Sequence, residues 1–406
     1  MITLEKVCLN IVDCEHKTAP TQERGIPSIR TTDIKGGVID FKNANKVSEE
    51  TYQNWIKRLE PRPEDLILAR EAPVGEVGII PKGQRACLGQ RTVLIRPNPE
   101  RVYSYYLLYL LLSREVQHQM KTLASGSTVE HLNMSDIREL QLPDLPSYEV
   151  QYEIGETLAN LDRKIDNLRR QNETLEKIAQ TLFKHWFIDF EFPNEEGKPY
   201  KSSGGAMSPS ELGDIPAGWN ILPLDKIADF LNGLPLQKYP PINESEFLPV
   251  IKIRELKSGI TNNTDKANTN IPLEYIINNG DVIFSWSGSL EVVIWHLGKG
   301  ALNQHLFKVY SQEYPKWLYY LWLLQHLDSF RHIAKGKATT MGHIQRKHLT
   351  DALCIIPDRK FLTVSTKIIS PLIDKIINNN KQIQTLTKTR DALLPKLMSG
   401  EIRIKE

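Results

Sequence analysis

Residues 154–186 read IGETLANLDRKIDNLRRQNETLEKIAQTLFKHW, and their apolar side chains recur at alternating steps of four and three. Leu158, Ile165, Ala179 and Trp186 fall on heptad position a, Leu161, Leu168, Leu175 and Leu182 on d, and Asn172 is a polar a residue. So narrow a stripe suits a coiled-coil seam rather than a helix sunk in a core. The seam returns, at an offset of 211 residues and without a gap, as Ile369, Leu372, Ile376, Asn379, Ile383, Leu386, Arg390, Leu393 and Leu397. Two such helices in one chain pair most economically with each other. Run antiparallel with Asn172 opposite Asn379, they match Leu158 to Leu393, Ile165 to Leu386, Leu168 to Ile383, Leu175 to Ile376 and Leu182 to Ile369. The two amides then either satisfy each other and fix the register, or lie partly exposed at a frayed seam.

At 406 residues the chain has room for two or three domains, and 40% apolar with 25% charged residues is ordinary globular composition. A formal charge of +2 excludes a polycation of the histone kind but leaves a local basic face open. No apolar run is long enough to span a bilayer and MITLEKVCLN is no signal peptide, so a cytoplasmic protein is expected. Cys8, Cys14, Cys87 and Cys354 lack metal-ligand spacing and read as buried reduced thiols, with no metal expected.

Strands are expected at 26–29, 65–69, 92–95 and 140–142, and a helix at 103–120 whose buried face holds Leu107, Leu108, Leu111 and Leu112. Ser147 is a candidate N-cap for the long helix. Residues 194–214, rich in Gly, Ser, Lys and Glu, read as an exposed linker. The second half then repeats the first. Ile26-Pro27-Ser28-Ile29-Arg30 falls on Leu248-Pro249-Val250-Ile251-Lys252, Asp65-Leu66-Ile67 on Asp281-Val282-Ile283, and Leu88-Gly89-Gln90-Arg91 on Leu302-Asn303-Gln304-His305. The aromatic-rich helix recurs at 317–327, and Thr128 to Leu132 falls on Thr340 to Ile344. The order is domain, helix, domain, helix, an internal duplication. Pro371 and Pro395 predict a less regular second helix, with Ser370-Pro371 able to restart it.

This layout resembles the specificity subunit of type I restriction–modification systems. The resemblance rests on the helix tails, TLFKHWFIDFEFP at 181–193 and LLPKLMSGEI at 393–402, supported by DCEHKTAP at 13–20 and GLPLQKYPP at 233–241. It implies an α+β fold with two duplicated target-recognition domains separated by two long helices that form an antiparallel coiled coil. The expected bounds are 1–146 and 215–358 for the recognition domains, 147–192 and 359–399 for the helices, and 193–214 for the linker. It also implies partners: double-stranded DNA, methyltransferase subunits docked on the helices and, through them, restriction subunits, with no membrane.

The residues themselves show no catalytic motif. There is no phosphate loop, Lys335-Gly336-Lys337 lacking the earlier glycine, no [DNS]PP[YFW], no HExxH and no glycine-rich cofactor turn. Glu71 and Glu76 beside Arg70 read as a structured loop rather than a nuclease acid pair. No cofactor is expected, and the chain is expected to be a non-catalytic subunit.

Residues 331–348 hold Arg331, Lys335, Lys337, Arg346 and Lys347 with three histidines and no acid. By itself such a run is often a solvated basic face; with Thr339, Thr340 and His343, and in this family, it is a candidate DNA contact. The matching loop of the first half, with Ser127 and His131, is nearly neutral, so that half leans on Lys17, Arg70, Arg91 and Lys121; His16, in a polar turn beside Lys17, is either a contact or a satisfied structural histidine, and Arg30 is a further candidate. Gln90 with Arg91, and Gln304 with His305, offer base-reading groups or else sheet-edge hydrogen bonds. Lys252 and Arg254 are further candidates in the second half. Trp286 takes the place of Arg70, so the two halves should read different bases. The competing class is an interaction scaffold whose duplicated domains bind protein and not DNA.

Overall fold

A heptad stripe without a breaker calls for one long helix, and Tyr148–Phe183 forms it over 36 residues. The Ser147 hydroxyl accepts from the backbone N–H of Val150 at 3.5 Å, as an N-cap should. The helix ends in a single wide turn, Lys184–Ile188. In this computed structural model, which describes residues 1–126, 130–336 and 342–404, the second long helix is Arg359–Met398, 40 residues without interruption. The restart expected at Ser370-Pro371 does not occur. Pro371 and Lys367, whose carbonyl loses its donor to the proline, both lie on the exposed face, where water can take the donor's place. Ser370 bonds the Asp374 carboxylate at 3.2 Å instead of capping.

The chain divides into two compact units, one made of Met1–Lys164 with the segment from Leu386 onward, the other of Ile165–Thr385. In the first, four antiparallel strands lie in the order Cys8–Asp13, Thr92–Pro97, Leu66–Ala69, Val77–Ile79. A smaller sheet places Ile26–Ile29 between Asn45–Val47 and Cys87–Leu88, parallel to the latter. The helix expected at 103–120 is two helices, Ser104–Leu111 and Arg114–Leu123. Ser113 makes the break, its hydroxyl accepting from Val116 N–H at 3.5 Å to start a new helix. Leu66, Leu68, Val93 and Ile95 from the sheet pack against Tyr106, Leu107, Leu110 and Leu111. Ile154, Leu158 and Ala159 of the first long helix join that core, as do Leu393, Leu394, Leu397 and Met398 of the second. Leu158 and Leu393 thus share a core, as the seam predicts. Gly155 is needed there, because a Cβ would lie 2.8 Å from the Tyr103 ring and from the Tyr106 backbone nitrogen. Arg390, the charged seam residue, donates to Asp162 at 2.6 Å, and Tyr109 donates to the other oxygen at 2.7 Å.

The second unit repeats this plan. Its large sheet runs Asp229–Asn232, Leu306–Tyr310, Val282–Ser285, Val292–Ile294. Its small one again contains one parallel pair, Leu248–Ile251 beside Gly300–Leu302. Register makes the equivalence residue by residue. Val93 faces Asp13 on one side and Leu68 on the other; Phe307 faces Asn232 and Phe284 in the same way. Lys316–Gly336 is the aromatic-rich helix. The tail of the first long helix supplies an aromatic hub in which Phe192 lies 4.4 Å from Phe361 and 5.0 Å from Trp219, centroid to centroid. Leu175, Leu182, Ile369 and Ile376 of the seam pack into the same core. At the seam the two amides meet one way only, and Asn380 joins them, while the Asn379 carbonyl oxygen accepts from nothing among the described residues. Asn379 donates to Asn172 at 2.9 Å, and Asn172 donates to Asn380 at 2.8 Å. Within residues 194–214, Met207–Ser208 pairs with Ile215–Pro216, and Tyr200 stacks on Phe192 at 4.5 Å. Among the described residues no helix is long and apolar enough to cross a membrane.

Candidate nucleic-acid interface

In each unit the third strand of the large sheet stops at one place, and the chain leaves it by one backbone pattern. Arg70 N–H donates to the Arg91 carbonyl, and the Arg70 carbonyl accepts from Leu132 N–H. Trp286 N–H donates to the His305 carbonyl, and the Trp286 carbonyl accepts from Ile344 N–H. Glu71 then bridges to His131, and Ser287 to His343. Five positions are gathered twice by this scaffold: 70 with 286, 71 with 287, 90–91 with 304–305, and 131 with 343. The sequence alignment of Trp286 with Arg70 therefore holds in three dimensions.

The side chains that fill the scaffold differ. In the first unit Arg70 donates to Asp13 at 2.7 Å and its side chain is only 17% exposed. His16 Nε2 is 3.1 Å from the same carboxylate oxygen. Arg91, in the left-handed region with φ +67°, keeps a side chain 54% exposed and places Nε 3.3 Å from Glu71 Oε2. Gln90 is half-buried beside it.

In the second unit the residue facing Phe307, Asn232, accepts from Trp286 Nε1 at 2.9 Å. An Asp–Arg ion pair in one unit is thus an Asn–Trp hydrogen bond in the other. Ser287 Oγ lies 3.2 Å from His305 Nδ1, and Gln304 Nε2 lies 3.4 Å from His305 Nε2. His305 is exposed, with the Trp286 ring 5.8 Å away and His343 beyond it, 6.3 Å from Trp286. The surface offers charge-assisted donors in the first unit, and an indole, an imidazole and an amide in the second. Both sets suit base edges and phosphates.

Other candidates are placed less favourably. Arg30 is tied to Asp33, Lys252 to Asp265 and Arg254 to Glu255, each within its own small sheet or the turn after it. Arg346 donates to the Phe230 carbonyl at 3.1 Å and covers the Phe307 ring, so it holds the fold. Lys17 and Lys121 are exposed and have no partner among the described residues. Lys335 lines an open cavity of about 420 Å³ with Lys257 and Arg331, whose charges Glu291 partly offsets at 3.3 and 3.4 Å. Ser127, Lys337, Thr339 and Thr340 lie outside the described residues.

Asp13, Cys14 and His16 bring donor atoms within 4.8 Å of one another. They do not suit a metal. The carboxylate is already committed to the Arg70 guanidinium, a competing cation, and burial raises the pKa of the Cys14 thiol, disfavouring the thiolate a metal needs.

Asp13, Glu71, Asn232 and Ser287 are absent from the sequence-derived set, although each holds one of its members. A signal was present: Asp13 opens DCEHKTAP and Asn232 directly precedes GLPLQKYPP.

A family model described as type I restriction modification DNA specificity domain matches the chain twice, at residues 16–177 and 216–388. The type I restriction enzyme MjaIX specificity subunit of Methanocaldococcus jannaschii is 30% identical over 373 residues, covering 90% of this chain and 83% of that protein. The HindI specificity subunit of Haemophilus influenzae is 22% identical, covering 76% of this chain and 80% of its own length. The crystal structure of a type I restriction–modification S subunit from M. genitalium shares the fold, with a TM-score of 0.57 at 16% identity over 98% of this chain and 95% of that one.

Proposed function

The chain belongs to the type I restriction modification DNA specificity family, and from that premise we propose that its two halves each read one part of a bipartite, asymmetric DNA target. It is a specificity subunit and not itself a catalyst. The recognition domains are residues 1–146 and 215–358, and the bases are met where the large sheets end, around Arg91 and around His305. The observation that carries this reading is one backbone scaffold used twice with different side chains. A duplicated surface with identical residues would read a symmetric target; Arg70, Glu71 and Arg91 against Trp286, Ser287 and His305 do not. The helix pair sets the gap between the half-sites and is the surface on which methyltransferase subunits assemble, with restriction subunits joining through them.

Salt tests the DNA reading against a protein scaffold. Affinity for duplex DNA should fall on a log–log plot with a slope near −0.9 for each phosphate engaged, about −5 or steeper for six or more contacts. A flat line at all duplexes would rule it out. Comparing methylated adenines in DNA from cells with and without this chain then gives the target.

A further inference from the structure

Where the chain leaves the third strand of the large sheet, a partly or fully buried polar side chain touches an exposed neighbour in each unit. Glu71 meets Arg91 in the first unit, and Ser287, 4% exposed, meets His305 in the second. The backbone bridges to His131 and His343 make Glu71 and Ser287 equivalent positions. The two contacts leave different hydrogen-bonding groups facing outward.

Arginine carries five N–H groups in a rigid fork. The Glu71 carboxylate lies nearest Nε, at 3.3 Å, and neither η-nitrogen of Arg91 donates a hydrogen bond to a described residue. The η-nitrogens are therefore presented together, as a fork matching the two acceptors, O6 and N7, on a guanine edge. Imidazole behaves differently. The Gln304 amide nitrogen can only donate, so its approach to His305 Nε2 makes Nε2 the acceptor. The ring proton then sits on Nδ1 and is donated to Ser287 Oγ. His305 Nε2 spends its single lone pair on Gln304 and so holds that amide in place, leaving the second amide hydrogen and the carbonyl of Gln304 to face outward as a donor–acceptor pair. That pair suits a base edge bearing an exocyclic amino group.

We propose that Glu71 and Ser287 are positioning residues that set the base read by their neighbours: a guanine where Arg91 reaches in the first half-site, and an adenine or cytosine where Gln304 and His305 reach in the second. The inference rests on the bipartite reading above and deepens it. Neither Glu71 nor Ser287 touches DNA. Each acts by fixing which nitrogens its neighbour presents.

The test selects bound duplexes from a fully randomised pool with the full-length chain and sequences them, for the wild type and for Glu71→Gln, Glu71→Asp and Ser287→Ala. The wild type should yield two half-sites, with guanine at one position of the first. Glu71→Gln should lower preference for that guanine by about 5-fold or more, within the range a bidentate contact confers. Glu71→Asp should restore part of it, and every position of the second half-site should stay unchanged. Ser287→Ala should relax one position of the second half-site and leave the first alone. Each variant carries its own folding control in the half that is not altered. Unchanged guanine preference in Glu71→Gln, or an even loss across both half-sites, overturns the proposal. A wild-type target with two half-sites but no guanine in the first overturns it while leaving the bipartite reading intact. A pool with no preferred sequence at all overturns both.

Discussion

Asn379 donates its amide to Asn172 at 2.9 Å across the helix pair, while its own Oδ1 is buried and accepts nothing among the described residues. The layer is therefore short of one donor. Replacing Asn379 by Leu takes the donor from the Asn172 carbonyl, while the Asn172 amide keeps Asn380, and should cost about 1–3 kcal/mol. Replacing both Asn172 and Asn379 by Leu removes the need for either amide. The double variant should lose less than the sum of the singles, and urea unfolding of all four proteins gives the coupling. Additive losses would show that the amides act independently.

Gly155→Ala should destabilise the first unit by about 1–3 kcal/mol, because one of the atoms its Cβ would meet is the Tyr106 backbone nitrogen, which cannot swing aside. Trimming Tyr103 to Ala in the same chain should therefore fail to restore the midpoint of thermal unfolding. Recovery would place the clash on the ring alone.

Burial lowers the pKa of both His296 and His326 in the second unit, and each imidazole is favoured in its neutral form. Unfolded, both take up protons near the ordinary value of about 6.5. Above that pH the two states bind equal numbers of protons and the groups have no effect. As pH falls below it toward the lowered folded values, the unfolded chain binds more protons and stability is lost. Tm should drop between pH 7 and 5, and His326→Gln should flatten that part of the profile. A profile of unchanged steepness in the variant would exclude His326 as a contributor.

Much of the scaffold is legible from side-chain pattern alone. Ile26–Ile29 is recovered to the residue, since an apolar run between Gly25 and Arg30 leaves little choice. The opening strand Cys8–Asp13 is not, because Asn10 interrupts its apolar character and half of it lies near the surface. The break after Leu112 is also hidden: the leucine run contains no breaker, and only Ser113's use as a cap reveals it. The candidate site is partly legible in the same way. Gln90, Arg91, Gln304 and His305 follow from the repeat. Asp13 and Arg70 are 57 residues apart and meet only through sheet register, which no local spacing encodes.

Lys335→Ala should weaken binding to every duplex alike and reduce the salt slope by about 1. Its ammonium has no carboxylate partner among the described residues, so nothing within the protein should compensate. A changed base preference at constant slope would move Lys335 from phosphate to base contact.

Inserting one heptad into each long helix beside Asn172 and Asn379 keeps every a residue opposite a d residue and lengthens the pair by about 10 Å. The preferred target should keep its half-sites and widen the gap between them, or be lost if the duplex cannot turn to meet both domains. Mapping the target of the insertion variant is the measurement. An unchanged gap with altered half-site bases would remove the spacer role from the helices.

Leu397, 3% exposed, and its neighbours Leu393, Leu394 and Met398 finish the core that begins with Leu4 and Val7. A ribosome makes those two ends of one core almost a whole chain apart. At about 5–20 residues per second, the sheet around Thr92–Pro97 emerges many seconds before the side chains that cover it. Until then the nascent first domain must shelter Leu158 and its neighbours without their partners, and any ribosome that stops before residue 393 leaves that apolar surface open. The domain synthesised first is the one completed last.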